Sequence, residues 1–446
     1  MLTYQDFLKA RDKKDFIRQL INYHKSTDMY QTAMVADEYD RHQNRTIRLY
    51  QKLLYDIQGH AVPDNWSPNF KMASKFFNRF ITQENQYLLG NGISWKDAAT
   101  KLKLGDDFDT QVQALGKKAL AGAVSFGFWN MDHLECFSVL EFAPLYDENN
   151  GALMAGVRFW QIDAHKPLRA TLYEIDGYTE YLWDSDNPNG MELFPKRTYM
   201  QLIRSTESDG TEIYAGENYP SFPIVPLWGY PNKQSAIVGL REQIDCYDLI
   251  KSGYANTVDE GSLIYWTLNN AGGMDDVDLA QFVQKMRTLH ATTTDDNVKA
   301  ESHTIDVPYA SREALLNKLR SDLYEDAMAL DTQNIAAGAA TATQIRAAYE
   351  PLNSKTDEYE YCVRVFIKEI LRIAGIDDEP TFTRSVIVNS QEELQLVVQA
   401  AQFLPEEYIT KKVLTLLGDG DLADDILKQM SVNEIDRSLQ EDNPEE

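Results

Sequence analysis

The sequence has little of what catalytic and metal-binding domains draw on. Three cysteines, Cys136, Cys246 and Cys362, are spread through 446 residues with no CxxC pair. That spacing argues against a disulfide framework and a cysteine zinc site, and it suits a reducing cytoplasm. The histidines (His24, His42, His60, His133, His165, His290 and His303) show no metal-ligand spacing. No metal and no other cofactor is therefore expected. No uninterrupted apolar run approaches the roughly 20 residues of a membrane span. The charged, amphipathic start "MLTYQDFLKARDKKDFIRQL" contains no apolar core of a secretory signal. The expectation is a soluble protein made in the cytoplasm, with no membrane partner.

Positive charge is also scarce. Lys and Arg number 43 against 69 Asp and Glu, for a net charge of −26. A protein that grips nucleic acid needs cations to displace counterions from phosphates. Two readings of the acidic balance remain: solubility alone, or a surface that lies near an anion without holding it.

The motifs of common enzymes are missing as well. The only Gly-Lys pair, Gly116–Lys117, lacks the upstream glycine and the following Ser or Thr of a phosphate loop. There is no HExxH, no GxSxG and no GxGxxG after a strand. "GDGDLADD" (Gly418–Asp425) lacks the spaced oxygen ligands and closing Glu of a calcium loop, so it reads as a turn with a helix cap. "DSDNPNG" (Asp184–Gly190) likewise reads as a turn. With so many acids, no single carboxylate pair stands out as acid and base.

What the chain does have is length and aromatic residues: 24 Tyr, 18 Phe and 7 Trp, a folding composition with enough chain for two to four domains. The first hundred residues read as helical, through "YQDFLKARDKKDFIRQLINYH", "RTIRLYQKLLYDIQ" and "NFKMASKFFNRFITQENQYLLG". From Val124 short apolar or alternating runs are separated by turn residues. "DENNG" (Asp147–Gly151) and "ESDG" (Glu207–Gly210) have hairpin chemistry. The proline-rich "YPSFPIVPLWGYPN" closes this β-rich part.

A long helix is then predicted from Ser235, with the stripe Ile237, Leu240, Ile244, Tyr247, Lys251, Tyr254 and Val258. Its 26 residues would make a rod of about 39 Å. A small mixed segment follows. A second helix comes next, with Ser311 as its N-cap and a stripe of Leu316, Leu319, Leu323, Ala327 and Leu330. Then comes "NIAAGAATATQIRAAYEPL", in which no side chain from Ala336 to Thr343 is larger than threonine. Taken alone, this stretch reads as an ordinary alanine-rich helix. A third helix carries Ile345, Tyr349, Leu352, Thr356, Tyr359, Val363, Phe366, Ile370 and Ile373 at strict 4-3 spacing. Pro351 lies inside it and predicts a kink, because it cannot donate to residue 347. Short helices and the acidic tail "EDNPEE" end the chain, and no internal repeat is evident.

The order of these parts resembles the portal proteins of tailed double-stranded DNA bacteriophages, of the type found in siphophages of Gram-positive hosts. "NFKMASKFFNRFITQENQYLLGNGISW" is similar to an early family segment ending in YLxGxPI. "EFAPLYDENNGALMAGVRFWQID" with "TLYEIDGYTEYLW" is similar to its wing. "FPIVPLWGYPNKQSAIVGLREQIDCYDLIKSGYANTVDE" is similar to the entry into its stem. The likeness runs from about residue 45 to residue 400 and has no single diagnostic motif.

The resemblance implies a multi-domain α+β fold. Residues 1–234 would form a wing (helical to 123, β-rich from 124), 235–261 and 309–331 the stem helices, and 262–308 a small α/β clip. Residues 332–343 would be a tunnel loop, 344–387 a kinked helix and its return, and 388–446 a helical crown. It further implies a homo-oligomeric ring, twelve subunits in the virion and twelve or thirteen as recombinant protein, at one capsid vertex. Double-stranded DNA would pass through its centre. The implied protein partners are the terminase large subunit, a head-completion (adaptor) protein, and the scaffolding and major capsid proteins.

In a ring, the tunnel loop (Asn334, Ala336, Ala337, Gly338, Ala339, Ala340, Thr341) would crowd one axis, where small side chains let backbones approach. Stem charges Glu242, Asp245, Asp248, Lys251, Lys318, Asp322 and Glu325 are the candidates for the channel wall. Asp259, Glu260, Asp326, Asp331, Arg241 and Arg320 lie on the same helices. A mostly acidic wall would let DNA slide. Two other readings stay open from the residues alone: an α+β enzyme with a carboxylate-based site, and a helical coiled-coil scaffold.

Overall fold

A computed structural model describes residues 2–55, 58–65, 67–206, 212–261, 265–269, 299–303, 309–333, 342–385, 397–400 and 405–417, with a few other residues besides. Helices α1 (Tyr4–Lys9), α2 (Lys13–Ser26) and α3 (Asp28–Asp40) open the chain. Their starts are fixed by side-chain caps: Thr3 and Asp6 form a reciprocal capping box, Asp12 accepts from Lys14 N, and Thr27 accepts from Tyr30 N. The short α4 (Arg45–Leu49) follows.

The helix expected across residues 45–58 stops there. Strands β1 (Leu53–Tyr55) and β2 (Ala61–Pro63) pair antiparallel instead, Leu54 opposite Val62, with Gly59 between them at φ +85°. The described residues between this hairpin and Lys75 form no helix, so α5 (Phe76–Leu89) begins later than the sequence pattern predicts. β3 (Ile93–Ser94), α6 (Ala98–Leu104) and α7 (Phe108–Gly122) complete the helical part.

The β-rich region follows the sequence reading closely. Strands β4 (Val124–Asn130) and β5 (His133–Ser138) join a later strand, β13, in a three-stranded sheet of order β13-β4-β5. Strands β6 (Phe142–Tyr146), β7 (Leu153–Trp160), β8 (Leu168–Glu174), β9 (Gly177–Trp183) and β10 (Met191–Glu192) form an antiparallel meander. "DENNG" turns between β6 and β7, with Gly151 at φ +68°. β11 (Met200–Thr206) and β12 (Glu212–Glu217) pair with each other, and "ESDG" between them lies outside the described residues. β13 (Ile224–Trp228) returns to pair with β4.

The two sheets are used differently. β9 alternates buried and half-exposed residues along its length. One face of the meander packs on α1 and α2 through Phe7, Phe16, Ile17, Leu20 and Ile21. β4, by contrast, is buried on both faces, between α7 and the long α10 described next.

The C-terminal half holds the long helices. α8 (Arg241–Gly261) leads to the paired strands β14 (Tyr265–Asn269) and β15 (Lys299–His303), and α9 (Tyr309–Asp326) returns. α10 (Ala342–Ala374) runs 33 residues through Pro351. From Tyr349 to Ile373 every residue of its 4-3 stripe is 5% exposed or less; Tyr349 and Leu352 lie in a small separate cluster, and Tyr359 to Ile373 in the main core. Gly116 and Gly127 make room for this helix. A Cβ at Gly116 would come within 1.9 Å of the Tyr359 hydroxyl, and one at Gly127 within 2.5 Å of the Phe366 ring. β16 (Thr381–Phe382) pairs with β3, and α11 (Glu406–Leu417) follows.

Two helix starts differ from expectation. α8 begins at Arg241 and not at Ser235, because Gly239 sits at φ +85° and residues 235–240 form turns in which Ala236 N donates to Leu120 O. Its 21 residues span about 31 Å rather than about 39 Å. α9 begins by Tyr309, so Ser311 lies inside it and is not its N-cap.

Candidate functional site

α8 and α9 form an antiparallel pair, fixed at both ends. Near the body Gln243 Nε2 donates to Asp326. At the far end Arg312 Nη1 donates to Thr257 Oγ1 (2.8 Å), and the Tyr254 and Tyr309 rings meet edge to face at 6.0 Å. The β14–β15 pair lies in the connection between the two helices. The apolar stripe expected from residue 237 is buried only near the body: Ile237 and Leu240, in the turns before α8, and Ile244 within it are 6% exposed or less, whereas Val258 is 44% exposed.

The charges nominated from the sequence separate into two groups. Glu242 and Glu325 are exposed, and Lys318 is exposed and paired along the helix with Asp322. Lys251 is half-buried, its Nζ 5.8 Å from the Tyr247 ring. Asp245 and Asp248 instead face inward, which corrects the expectation for both. Asp245 accepts from the Tyr39 hydroxyl and from Thr46 Oγ1 (2.7 Å). Burial, and the Asp245 carboxylate after it, push the Tyr39 hydroxyl up to about 12. Asp248 is fully buried. Desolvation raises its pKa, and hydrogen bonds from Asn44 and Ser74 pull the other way. Asp331 is turned inward too, gripped by both terminal nitrogens of Arg320 at 2.8 and 2.7 Å. The tunnel-loop residues Asn334, Ala336, Ala337, Gly338, Ala339, Ala340 and Thr341 lie outside the described residues, as does "GDGDLADD". "DSDNPNG" is a turn, in which Asp184 Oδ1 accepts from Asp186 N and Asn187 N.

Both approaches to the alanine-rich stretch are anchored on α5. On the incoming side Gln83 clamps Leu330 in both directions, N–H to amide oxygen and amide N–H to carbonyl, each at 3.0 Å. On the outgoing side the Tyr349 ring stacks on Tyr87 at 5.5 Å, and Leu352 joins the same apolar cluster as Leu330. Pro351 sits beside these residues on the exposed side of α10.

One helical turn further, Lys355 reaches into the body. Its Nζ is 2.8 Å from Glu84 Oε2, a side chain 1% exposed, and it also donates to Ala327 O at 3.1 Å, in the turn that ends α9. The Tyr230 hydroxyl donates to the same Glu84 oxygen (2.7 Å). Next to it the Tyr359 hydroxyl donates to Asn85 Oδ1 (2.7 Å). Burial pushes the Glu84 carboxyl up, against the pull of the Lys355 ammonium and the Tyr230 hydroxyl. This hub joins α5, α9, α10 and the segment after β13 in one polar cluster.

The sequence reading missed a second device. Residues 67–75 lie along α8 as an extended strap. Alternate backbone N–H groups of the strap donate to α8 side chains one turn apart: Phe70 to Asn256 (2.7 Å), Met72 to Ser252 (3.0 Å) and Ser74 to Asp248 (2.9 Å). The three acceptors are buried, and Asn44 braces Asp248 from the other side. Two residues of extended chain advance about 6.6 Å, and four residues of helix about 6.0 Å, so the rungs match. The signal was present as the polar spacing Asp248, Ser252, Asn256 on a helix read only for its apolar stripe.

Among the described residues, no group of three His, Cys, Asp or Glu is placed to hold a metal ion, and no helix is long and apolar enough to cross a membrane. The cleft between α3 and α7 pairs its charges, Lys117 with Asp40 (2.9 Å) and Lys118 with Glu141 (3.6 Å).

A long antiparallel helix pair whose connection carries a strand pair, joined to a body of helices and antiparallel sheets, is the α+β layout expected of a portal subunit. The chain belongs to the phage portal proteins: the family model described as "Phage portal protein, SPP1 Gp6-like" matches residues 36–443. It is similar to the portal protein of Bacillus phage SPP1, with 23% identity over 390 residues, covering 78% of this chain and 73% of that one. It is also similar to the portal protein of Clostridium phage phiCD119, with 25% identity over 205 residues, 43% of this chain and 45% of that protein's length. Among solved structures, a chain of the assembly described as "Neck of empty GTA particle computed with C6 symmetry" aligns at a TM-score of 0.43 and 11% identity, over 77% of this chain and 90% of that one.

Proposed function

We propose that the chain assembles into a ring at one vertex of a phage capsid, twelve subunits in the virion, and that double-stranded DNA enters and leaves through its bore. The observation that carries this reading is the family match over residues 36–443, joined to the antiparallel α8–α9 pair. The pair would be the stem, the β14–β15 strands part of the clip, and α11 part of the crown. The clip would dock the terminase large subunit during packaging and a head-completion protein afterwards. Scaffolding and major capsid proteins would surround the body. The role is structural, and the motor's ATPase is a separate protein, in keeping with the missing phosphate loop.

In this reading Glu242, Glu325 and Lys318 are the wall candidates still available from the exposed faces. A stem of about 31 Å passes about 18 DNA phosphates. A wall with few free cations releases few counterions and holds the strand weakly. The alanine-rich stretch would project from its α5 anchors toward the axis.

Negative-stain microscopy of the purified chain tests the reading. Rings of twelve or thirteen with an axial hole are expected, and a compact monomer at all concentrations would overturn it. For the loop, Ala337→Trp or Ala340→Trp should leave rings intact while impairing packaging. Unimpaired packaging would move the tunnel loop elsewhere in the chain.

A further inference from the structure

We propose that the β1–β2 hairpin is an arm with which one copy of this chain grips the next. The inference deepens the ring reading and rests on it.

The hairpin is too bare to be a finished structure. Every residue of both strands is exposed, and among the described residues the strands pair only with each other. A two-stranded hairpin open on both faces is at best marginally stable in water. This one is also apolar: Leu53 is 51% exposed, Leu54 44%, Tyr55 73% and Val62 42%. Neighbouring strand residues point to opposite faces, so Leu53 and Tyr55 lie on one side and Leu54 on the other. A cover must therefore embrace both faces, as a groove embraces an inserted arm. Leu49 and Phe70, which flank the arm in the chain, are 67% and 51% exposed as well. Contiguous exposed apolar surface of this kind marks an interaction site.

The arm is also rooted. The strap that follows β2 is bonded rung by rung to α8, so a load on the arm passes directly to the helix pair. That attachment suits a joint between subunits better than a free loop would.

Charge selects the occupant. Residues 48–75 hold Arg48, Lys52, Lys71 and Lys75 against Asp56 and Asp64, and Asp64 is only 3% exposed. The hairpin itself carries Lys52 against Asp56 and Asp64, and the other cations, Arg48, Lys71 and Lys75, flank its root; a basic root on a chain of net charge −26 is complementary to a second copy of that chain. DNA is the poorer match, since phosphate contacts need donors and the faces of the hairpin offer leucine and valine. A projecting patch that meets a different surface of its neighbour is the head-to-tail geometry that closes rings.

The test uses the full chain in three forms: wild type, the double variant Leu53→Glu/Val62→Glu, and a form with the photo-crosslinker p-benzoylphenylalanine in place of Tyr55. Wild type should sediment as rings. The double variant should lose ring population by about tenfold or more at equal concentration while keeping its cooperative thermal melt. Irradiation of the crosslinker form should join one copy to another. Wild-type rings that crosslink only within a chain, or only to added DNA, would overturn the arm and leave the ring reading standing. So would a double variant that forms rings as wild type does. A wild type that stays monomeric would overturn both. Should the double variant fail to fold, the crosslinker form decides alone, because Tyr55 is 73% exposed and tolerates replacement.

Discussion

α10 and α8 are both long helices with apolar stripes, yet they are held in opposite ways. α10 is seated along its stripe from Tyr349 to Ile373 in its own chain's core, between glycines that admit its aromatic side chains. α8 is seated by apolar contact only near the body. Beyond that it is held by a polar ladder on one flank and by α9 on another, while its exposed residues face outward. One helix is finished within the subunit. The other is aligned by the subunit and left with surface to spare, as a part destined for assembly must be.

Four substitutions would break or sharpen this contrast. The largest effect is expected from Lys355→Met, which strands the buried Glu84 carboxylate. A loss of about 3–5 kcal/mol in denaturant unfolding is expected, and a loss under 1 kcal/mol would show that the hub does not hold α10. Gly116→Ala comes next, since its methyl group would meet the Tyr359 hydroxyl and Asn85. It should cost about 1–3 kcal/mol, read as a lower melting temperature, and Tyr359→Phe in the same chain should recover part of it.

On the other helix, Ser252→Ala removes one acceptor and should cost about 1–2 kcal/mol. Its signature is local: hydrogen exchange at the Met72 amide should quicken while amides of α10 keep their protection. Uniform quickening would mean that the ladder is not a separate unit.

The smallest effect concerns His24, buried between α2 and the β-rich part with Nε2 2.7 Å from Val139 O. Burial lowers its pKa below the ordinary histidine value of about 6.5. The neutral ring is thus favoured in the fold. Its contribution is present above about pH 6.5 and is lost as pH falls through the lower folded value. His24→Gln should flatten the decline in stability between pH 7 and 5 relative to wild type. Parallel curves would exclude His24 as a contributor.

These contrasts also explain what could be read from the chain in advance. The α10 stripe was legible because a single periodicity decides its burial. The β-rich part was legible because alternation and "DENNG" act locally. The hairpin arm was not: "RTIRLYQKLLYDIQ" has helical apolar spacing, and only the turn at Gly59 and the pairing with Ala61–Pro63 break it. The strap was misread as helix because its hydrogen bonds go to residues about 180 positions away, and tertiary partners override local propensity. Asp245 and Asp248 were misplaced for a related reason. Sequence gives the helix that carries a carboxylate, but the side on which Asn44, Thr46 and Tyr39 wait is decided by the fold.

The ladder carries its own limit of length. Each rung drifts by about 0.6 Å, the difference between two steps of strand and four of helix, so like a vernier it can stay aligned for only a few divisions. The chain stops it in time. The next strap position in one direction is Pro68, which has no N–H to offer, and in the other direction α5 begins at Phe76 and the strap ends. Three rungs are as many as this pair of unlike rulers can share.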